Sequence, residues 1–339
     1  MDRNIARMAA FFSDGETRLR PHFKAHKTPE IARRQLAAGS CSGITCATVS
    51  EAEAVVDFCD DILIANEIVS PDKCRRVAAL AARASVIVAV DSDAGLAALS
   101  AAAGSVEIGV LVDLDVGMGR CGVPPGRFAL ALAQRVAATG GVTLRGVMGY
   151  EGHLQPIANR AEREQRARAS MESLVGAARQ LRKAGLPCDI VSGGGTGTYD
   201  ISGRVPGVTE IQAGSYVAMD TDYARLELPF EQALSVLGTI VSRPDADYCV
   251  ADCGHKSMTK DHGLPAVKGL AGASVLALND EHAVIKLPSG SKVKIGDRIE
   301  LLPSHTDPTI NLHDVFYAME DGQVVGVWPI AGRGYAEHR

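Results

Sequence analysis

Residues 85–113 read SVIVAVDSDAGLAALSAAAGSVEIGVLVD, an apolar run, an alanine-rich segment and a second apolar run. Short apolar runs that alternate with helix-length segments are typical of parallel strands joined by helices. Six further runs of this kind precede Asp220, at residues 18–26, 43–48, 61–65, 144–150, 189–192 and 209–216. Eight such units predict an α/β fold, and they favour a closed (β/α)8 TIM barrel over an open doubly wound sheet.

The pattern changes after Asp220. Six strand candidates then follow one another without a long helix between them, at residues 234–241, 247–251, 282–287, 298–302, 315–320 and 323–328. We therefore expect two domains, a barrel over residues 1–220 and a β-rich domain over residues 221–339. The chain opens on a helical pattern at residues 4–12, and we expect that a strand which would normally precede this helix is absent.

The composition limits the classes of function. The chain has 339 residues, a formal charge of -5 and only 4% aromatic residues, which argues against a nucleic-acid surface and favours small-molecule chemistry. Its eight cysteines are scattered without a CxxC pair, which predicts reduced thiols in a cytoplasmic protein. No apolar run approaches the roughly 20 residues that span a bilayer, so we expect no membrane partner.

Lys24 lies in residues 20–27, RPHFKAHK, at the end of the first strand candidate. In an extended strand, Arg20, His22 and Lys24 would point to the same side. Neighbouring cations disfavour the ammonium form, so Lys24 is a candidate amine for forming a Schiff base with a carbonyl compound. The alternative is a solvated surface lysine.

Two glycine-rich segments add candidate ligand-binding residues. Residues 192–198, SGGGTGT, follow a strand candidate and predict a phosphate-binding loop, which Gly214, Ser215 and Tyr216 could complete. The alternative for this loop is a plain turn. In residues 112–122, VDLDVGMGRCG, glycines on both sides leave Arg120 room to bind a carboxylate or a phenolic oxygen, although a surface ion pair is equally compatible.

His305 and Asp307 lie two residues apart in residues 303–309, PSHTDPT. On an extended segment both side chains would project to the same side, as two ligands of Mn, Mg or Zn would. A hydrogen-bonded pair in a loop is the alternative.

Taken in order, these segments resemble the fold-type III pyridoxal-phosphate enzymes, which are the alanine racemase-like group, and within it the D-threonine aldolase and D-serine dehydratase family. The resemblance covers nearly the whole chain. It implies that Lys24 binds pyridoxal 5'-phosphate (PLP) covalently, with Tyr150 beside the pyridine ring, Arg120 as the inward arginine and Gln212 facing the pyridine nitrogen. It also implies that the cofactor phosphate is held by Thr196, Gly197, Gly214, Ser215 and Tyr216.

The same resemblance implies an activity. The family binds a metal through His-x-Cys in dehydratases and His-x-Asp in aldolases, so His305 and Asp307 favour an aldolase acting on a D-3-hydroxy amino acid, with a homodimer expected. Residues 20–27 and 210–215 are most similar to 3-hydroxy-D-aspartate aldolases. His153 or a metal-bound hydroxide is the expected base. A dehydratase giving a 2-oxo acid and ammonia, an amino-acid racemase and a non-enzymatic cofactor carrier are the alternatives.

Overall fold

The computed structural model describes residues 1–334, which form two compact units. The unit that we call the barrel unit contains Ile5–Lys24 and Thr28–Gly214. The second, which we call the β unit, contains Met1–Asn4, Ala25–Lys27 and Ser215–Gly334. The main division therefore falls between Gly214 and Ser215, a little before the boundary expected after residue 220.

The barrel unit is built on eight parallel strands. They are β1 Arg18–Leu19, β2 Ile44–Cys46, β3 Asp61–Glu67, β4 Ser85–Val90, β5 Ile108–Asp113, β6 Val142–Gly149, β7 Ile190–Gly193 and β8 Glu210–Ile211. Their hydrogen-bonded order is β1-β8-β7-β6-β5-β4-β3-β2. Isolated parallel bridges from Leu19 to Cys41 and from His22 to Thr45 bring the two edges together. The α/β barrel prediction is therefore confirmed.

Helices alternate with these strands. They are α1 Asp2–Phe11, α2 Pro29–Ala37, α3 Val49–Val55, α4 Pro71–Ala81, α5 Asp93–Ala103, α6 Arg127–Ala138, α7 Arg160–Lys183 and α8 Tyr199–Ser202. Helix α3 begins at Val49 because Thr48 is its N-cap, and the Thr48 hydroxyl accepts a hydrogen bond from the Glu51 N–H, which would otherwise lack a partner. In the part of the chain that the structure describes, no helix has the length and apolar character needed to cross a membrane.

The barrel interior explains why its strands read as continuous apolar runs. All six residues of β5 are buried, as expected for a parallel strand that is covered on both faces. Apolar side chains from five neighbouring strands pack together inside: Leu63, Ile87, Ala89, Leu111, Met148 and Ile190. Each fully buried aliphatic side chain of this kind stabilises the fold by about 1.5–3 kcal/mol.

The first and last strands are much shorter than the sequence predicted. Strand β1 ends at Leu19, and Phe23–Ala25 form a 3-10 helix, so the extended strand expected over residues 18–26 is wrong. Pro21 has no N–H to donate to a ladder, and only its carbonyl is used, by the Thr45 N–H. Strand β8 likewise ends at Ile211, and Ser215–Val217 form another 3-10 helix.

The β unit contains eight strands and two short helices. They are α9 Thr221–Ala224, β9 Val236–Ser242, β10 Tyr248–Ala251, β11 Ala266–Val267, β12 Ser274–Leu278, β13 Ala283–Lys286, β14 Arg298–Leu302, α10 Thr306–Ile310, β15 Val315–Glu320 and β16 Gln323–Pro329. Six strands form an antiparallel sheet in the order β11-β14-β9-β10-β13-β12, and β15 pairs with β16 as a separate hairpin. One face of the six-stranded sheet covers a core that includes Ile240, Ile285 and Leu301. The predicted β-rich second domain is therefore confirmed.

A buried network of ion pairs joins Arg20, which directly follows β1, to strands β8 and β3. The Arg20 side chain is 1% exposed and donates to both carboxylate oxygens of Glu210, at 2.8 and 2.6 Å. It also donates to Asp61 Oδ1 at 2.8 Å. Burial alone would lower the pKa of Arg20, but hydrogen bonds and charge from Glu210 and Asp61 raise it above its ordinary value. Gly43, with a φ of +143°, leaves room for this guanidinium, since a Cβ there would lie 2.5 Å from Arg20 Nη1.

Replacement of Arg20 by methionine is expected to lower the free energy of unfolding by about 3–5 kcal/mol, because Glu210 would keep a buried charge without a partner. Urea unfolding followed by circular dichroism measures this loss. The control is Arg135→Met, since the Arg135–Asp93 pair is 50% and 69% exposed and its loss should cost less than about 1 kcal/mol. Equal losses in the two variants would contradict a structural role for the Arg20 network.

Candidate functional site

The predicted site residues of the barrel unit lie at one end of its sheet. Lys24 follows β1, Arg120 lies in the loop after β5, Tyr150 follows β6 and Gln212 follows β8. Because the carboxyl ends of parallel barrel strands meet at one mouth, these four residues surround the same opening. Ser215 and Tyr216 belong to the β unit instead.

Lys24 lies in the 3-10 helix Phe23–Ala25 rather than on a strand. It is partly exposed, whereas its neighbours Phe23 and Ala25 are 0% and 1% exposed and anchor the turn. Within residues 1–334, its Nζ makes no hydrogen bond and no ion pair. Arg20, one of the neighbouring cations expected to disfavour the ammonium form, is bound by two carboxylates. Lys24 is therefore an amine on an anchored turn, without a protein partner among residues 1–334.

The glycine-rich loop after β7 is held by side chains from the segment that follows β6. Its N–H groups at Gly194 and Gly197 donate to Glu151 Oε2 at 3.1 Å and to Gln155 Oε1 at 2.7 Å. The Gly195 N–H donates to Thr198 Oγ1 at 3.2 Å within the loop. The loop is therefore an ordered structure and not a flexible turn.

Of the remaining predicted phosphate-binding residues, Thr196, Gly214 and Tyr216 are buried and Ser215 is half-buried. Thr196 is 2% exposed and Tyr216 is fully buried, with its ring 5.6 Å from that of Phe230. Gln212 donates from Nε2 to Ser192 Oγ at 3.0 Å, and its N–H donates to the Gly193 carbonyl, which ties the end of β8 to the end of β7.

The loop after β5 presents Arg120 at its exposed tip. Asp115 Oδ1 accepts the N–H groups of Gly117 and Gly119 at 2.9 and 3.0 Å, and these bonds lower the pKa of Asp115. The guanidinium of Arg120 lies 5.8 Å from the ring centroid of Tyr150, within range for a cation–π contact. Arg120 and Tyr150 are therefore neighbours.

His153 lies in a 3-10 helix, Gly152–Leu154, just after β6. Its Nδ1 is buried and has no hydrogen-bond partner in the described residues. A Cβ on Gly117 would lie 3.5 Å from His153 Nε2, so the loop after β5 packs closely over the ring. A buried ring nitrogen without a protein partner is suited to bind or exchange a proton with a ligand.

A second group of acids lies at the ends of β3, β4 and β5. Asp113 is 6% exposed, and the ligand atoms of Glu67, Asp91 and Cys121 all lie within 4.8 Å of one another. Burial raises the pKa of Asp113, and the charge of Glu67 and a hydrogen bond with it raise the pKa further, while Arg120 opposes the shift. Asp113 therefore keeps its proton at neutral pH.

Replacement of Asp113 by asparagine is expected to raise the free energy of unfolding relative to the parent protein, and this gain should increase with pH. The folded-state pKa of Asp113 lies above the unfolded value of about 3.9, so its contribution to stability is greatest at low pH and is lost as the pH rises through the folded pKa. Asparagine can still donate to Glu67 but cannot ionise. We expect a gain of about 1 kcal/mol or more in the free energy of unfolding at pH 9, shrinking towards pH 6.

Asp115→Asn is the matched control for this prediction, because the pKa of Asp115 is lowered by the Gly119 and Gly117 N–H groups. Asp115→Asn is expected to lower the free energy of unfolding, and this loss should be the same at pH 6 and at pH 9. Denaturant unfolding across this pH range gives both values. A destabilising effect of Asp113→Asn that is constant with pH would contradict the raised pKa of Asp113.

The candidate metal site in the β unit centres on His305. The ligand atoms of Asp261, His262 and His305 all lie within 4.8 Å of one another, and His305 Nδ1 lies 2.7 Å from Asp261 Oδ2. The rings of His262 and His305 stack with centroids 4.1 Å apart. Burial alone would raise the pKa of Asp261, but hydrogen bonds from Thr259 and His305 lower it. Nitrogen and oxygen ligands of this kind fit a divalent cation.

Asp307 is not part of this three-residue group. The extended segment expected for His305 and Asp307 is wrong, because His305 is the N-cap of α10 and Asp307 lies in its first turn. Asp220 Oδ2 accepts a hydrogen bond from the Thr306 N–H at 3.2 Å. This bond satisfies the first N–H of α10, which begins at Thr306.

Sequence reasoning missed Glu151, Gln155, Asp261 and His262. Glu151 directly follows Tyr150 at the end of a predicted strand. An acid in this position, next to a candidate site residue, could have indicated a role for it. Asp261 and His262 form a two-residue pair before Gly263, and only the fold shows that His305 lies beside them.

Two family models match the chain. That of the alanine racemase N-terminal domain matches residues 1–222, and that of a putative serine dehydratase domain matches residues 233–319.

Curated relatives match nearly the whole chain. A D-threonine aldolase from Arthrobacter sp. is 42% identical over 99% of this chain and 90% of that enzyme. A 3-hydroxy-D-aspartate aldolase from Paracoccus denitrificans is 35% identical over 98% of this chain and 89% of that enzyme. The crystal structure of a D-threonine aldolase from Filomicrobium marinum aligns with a TM-score of 0.93 and 37% identity, over 98% of this chain and 92% of that one.

Proposed function

Because the chain belongs to the family of the alanine racemase N-terminal domain, we propose that it is a PLP- and divalent-metal-dependent aldolase that cleaves D-3-hydroxy amino acids to glycine and an aldehyde. The observation that carries this proposal is the similarity to two named aldolases along nearly the whole chain. It agrees with the expectation from the sequence segments alone.

The barrel mouth fits a PLP group. Lys24 Nζ has no protein partner within residues 1–334, and it would bind the cofactor covalently. The phosphate would be held by Thr196, Gly197, Gly214, Ser215 and Tyr216. The glycine-rich loop supports this assignment, because its backbone N–H donors are ordered by Glu151 and Gln155.

Three other residues would position the cofactor ring. Tyr150 and Arg120 are neighbours, and they would lie beside the pyridine ring and its phenolic oxygen. Gln212 is neutral and would face the pyridine nitrogen, where it holds a proton less firmly than a charged partner would. When bound, PLP supplies the electron sink for the bond that breaks at Cα.

The reaction moves one proton off the substrate and one onto it. The hydroxyl proton leaves, the Cα–Cβ bond breaks, the hydroxyl carbon becomes the aldehyde carbon, and Cα takes a proton to give glycine. D-Threonine would yield acetaldehyde, and 3-hydroxy-D-aspartate would yield glyoxylate. His153 is the proposed acceptor of the hydroxyl proton, supported by its buried Nδ1 without a partner in the described residues.

A divalent metal would lower the pKa of the substrate hydroxyl. We propose His305 and Asp307 as its protein ligands. Asp261 and His262 lie beside His305 and are further candidate donors, so they enter the same test.

We also propose that the enzyme is a cytoplasmic homodimer. All eight cysteines are free thiols, which suits a reducing compartment. Tyr317, Met319 and Val327 on the β15–β16 hairpin are 65%, 59% and 53% exposed, which fits contact with a second copy.

Product analysis tests the proposed activity. The purified protein, supplied with PLP and Mn²⁺, should convert D-threonine or 3-hydroxy-D-aspartate to equimolar glycine and aldehyde, with no activity on the L-enantiomers. Chelation should reduce the rate, and added Mn²⁺ should restore it. His305→Ala should abolish this restoration, while Lys286→Ala, which changes an exposed lysine of β13, is the control.

Other products would identify the alternatives. A 2-oxo acid with ammonia would contradict the aldolase and indicate a dehydratase, whereas inversion at Cα without cleavage would indicate a racemase. Asp307→Asn and Asp261→Asn are tested for the same restoration by Mn²⁺. If restoration fails in Asp307→Asn but not in Asp261→Asn, the His305–Asp307 pair is supported. If restoration fails only in Asp261→Asn, Asp261 and not Asp307 is the carboxylate ligand of the metal.

A further inference from the structure

Glu151 is a buried carboxylate at the centre of the glycine-rich loop. It is 0% exposed and directly follows β6 and Tyr150. Its oxygens accept three hydrogen bonds, from the Gly194 N–H at 3.1 Å and from the hydroxyls of Thr198 and Ser202, each at 2.7 Å. Three donors that converge on one carboxylate compensate for its burial, so the group is fixed in position and orientation.

The hydroxyl of Thr198 has its full set of hydrogen bonds. It donates its only proton to Glu151 Oε1, and its oxygen accepts from Gln155 Nε2 at 2.9 Å and from the Gly195 N–H at 3.2 Å. A hydroxyl offers one donor and two acceptor positions, and all three are used. Because the carboxylate is an acceptor only, Thr198 has a single arrangement of its proton.

This arrangement fixes which way the Gln155 amide points. Its NH2 group must face Thr198, so its oxygen faces the Gly197 N–H at 2.7 Å. A reversed amide would set NH2 against the Gly197 N–H, two donors face to face. Gly195 makes room for this amide, since a Cβ there would lie 2.9 Å from Gln155 Cδ.

We propose that Glu151 is a positioning residue for the cofactor phosphate, acting through Thr198 and Gln155 to keep the loop Gly194–Gly197 in the shape that receives it. Gln155 Oε1 accepts a hydrogen bond from the Gly197 N–H and so fixes this part of the loop, and the phosphate would be received by the loop in that fixed shape. The charge of Glu151 orders the relay but does not touch the phosphate. This inference rests on the proposed PLP dependence.

The test compares PLP with pyridoxal, which has the same ring and aldehyde but no phosphate. Apoprotein is titrated with each compound, and absorbance gives the two dissociation constants. In Glu151→Gln, an NH2 group faces either the Gly194 N–H, which then loses its acceptor, or the Thr198 hydroxyl, which can then no longer donate its proton to residue 151; either orientation disturbs the loop. We expect the dissociation constant for PLP to rise at least about tenfold, as for a lost hydrogen bond to a charged group, and that for pyridoxal to change less than about twofold.

Thr198→Val is the second variant, because it breaks the relay and leaves Glu151 in place. It should reproduce the selective loss of PLP, and it keeps the test decisive if Glu151→Gln fails to fold. Ser202→Ala is the matched control. It removes one donor to Glu151 outside the relay and should leave the ratio of the two dissociation constants within about twofold of the parent value. Thermal melts of the apoproteins monitor folding.

Two results would overturn the inference. One is equal weakening of PLP and pyridoxal in Glu151→Gln and Thr198→Val, as a purely structural role requires. The other is unchanged PLP binding in a folded Thr198→Val protein. Failure of the parent protein to bind PLP is a different result, because it refutes the proposed function itself.

Discussion

The contact of Arg20 with Glu210 and Asp61 holds the beginning of the barrel in place. Strand β1 has only two residues, so its backbone ladder alone provides few hydrogen bonds. The guanidinium adds three hydrogen bonds, to side chains at the start of β8 and at the start of β3. Because the 3-10 helix with Lys24 follows directly, the position of the proposed reactive amine depends on this buried charge network.

Two buried acids at the barrel mouth, Glu151 and Asp113, have opposite surroundings. Glu151 is surrounded by donors and orders a loop of backbone N–H groups. Asp113 faces another acid, Glu67, and its pKa is raised by burial and by that neighbour. One acid therefore organises a proposed anion site, and the other stores a proton close to Arg120. Both residues lie at the carboxyl end of a strand, since Asp113 is the last residue of β5 and Glu151 follows β6.

Much of the fold could be predicted from the sequence. Parallel strands buried on both faces, such as β4 and β5, read as unbroken apolar runs because each residue contacts either the interior or a helix. The end strands could not be predicted in this way. Residues 18–26 have the composition of a strand, but a proline and three-dimensional contacts with Ala213 and Thr45 turn the chain. Asp261 and His262 were missed for a similar reason, since their proximity to His305 arises from the fold and not from spacing.

The central claim is that Lys24 is the amine that binds PLP, and chemical trapping tests it most directly. The protein is incubated with PLP, reduced with borohydride and digested, and the modified peptide is identified by mass spectrometry. The account predicts one stoichiometric pyridoxyl group on Lys24, in the peptide that carries Pro21 and His22. Modification of another lysine with Lys24 unmodified, or no modification after reduction, would contradict it.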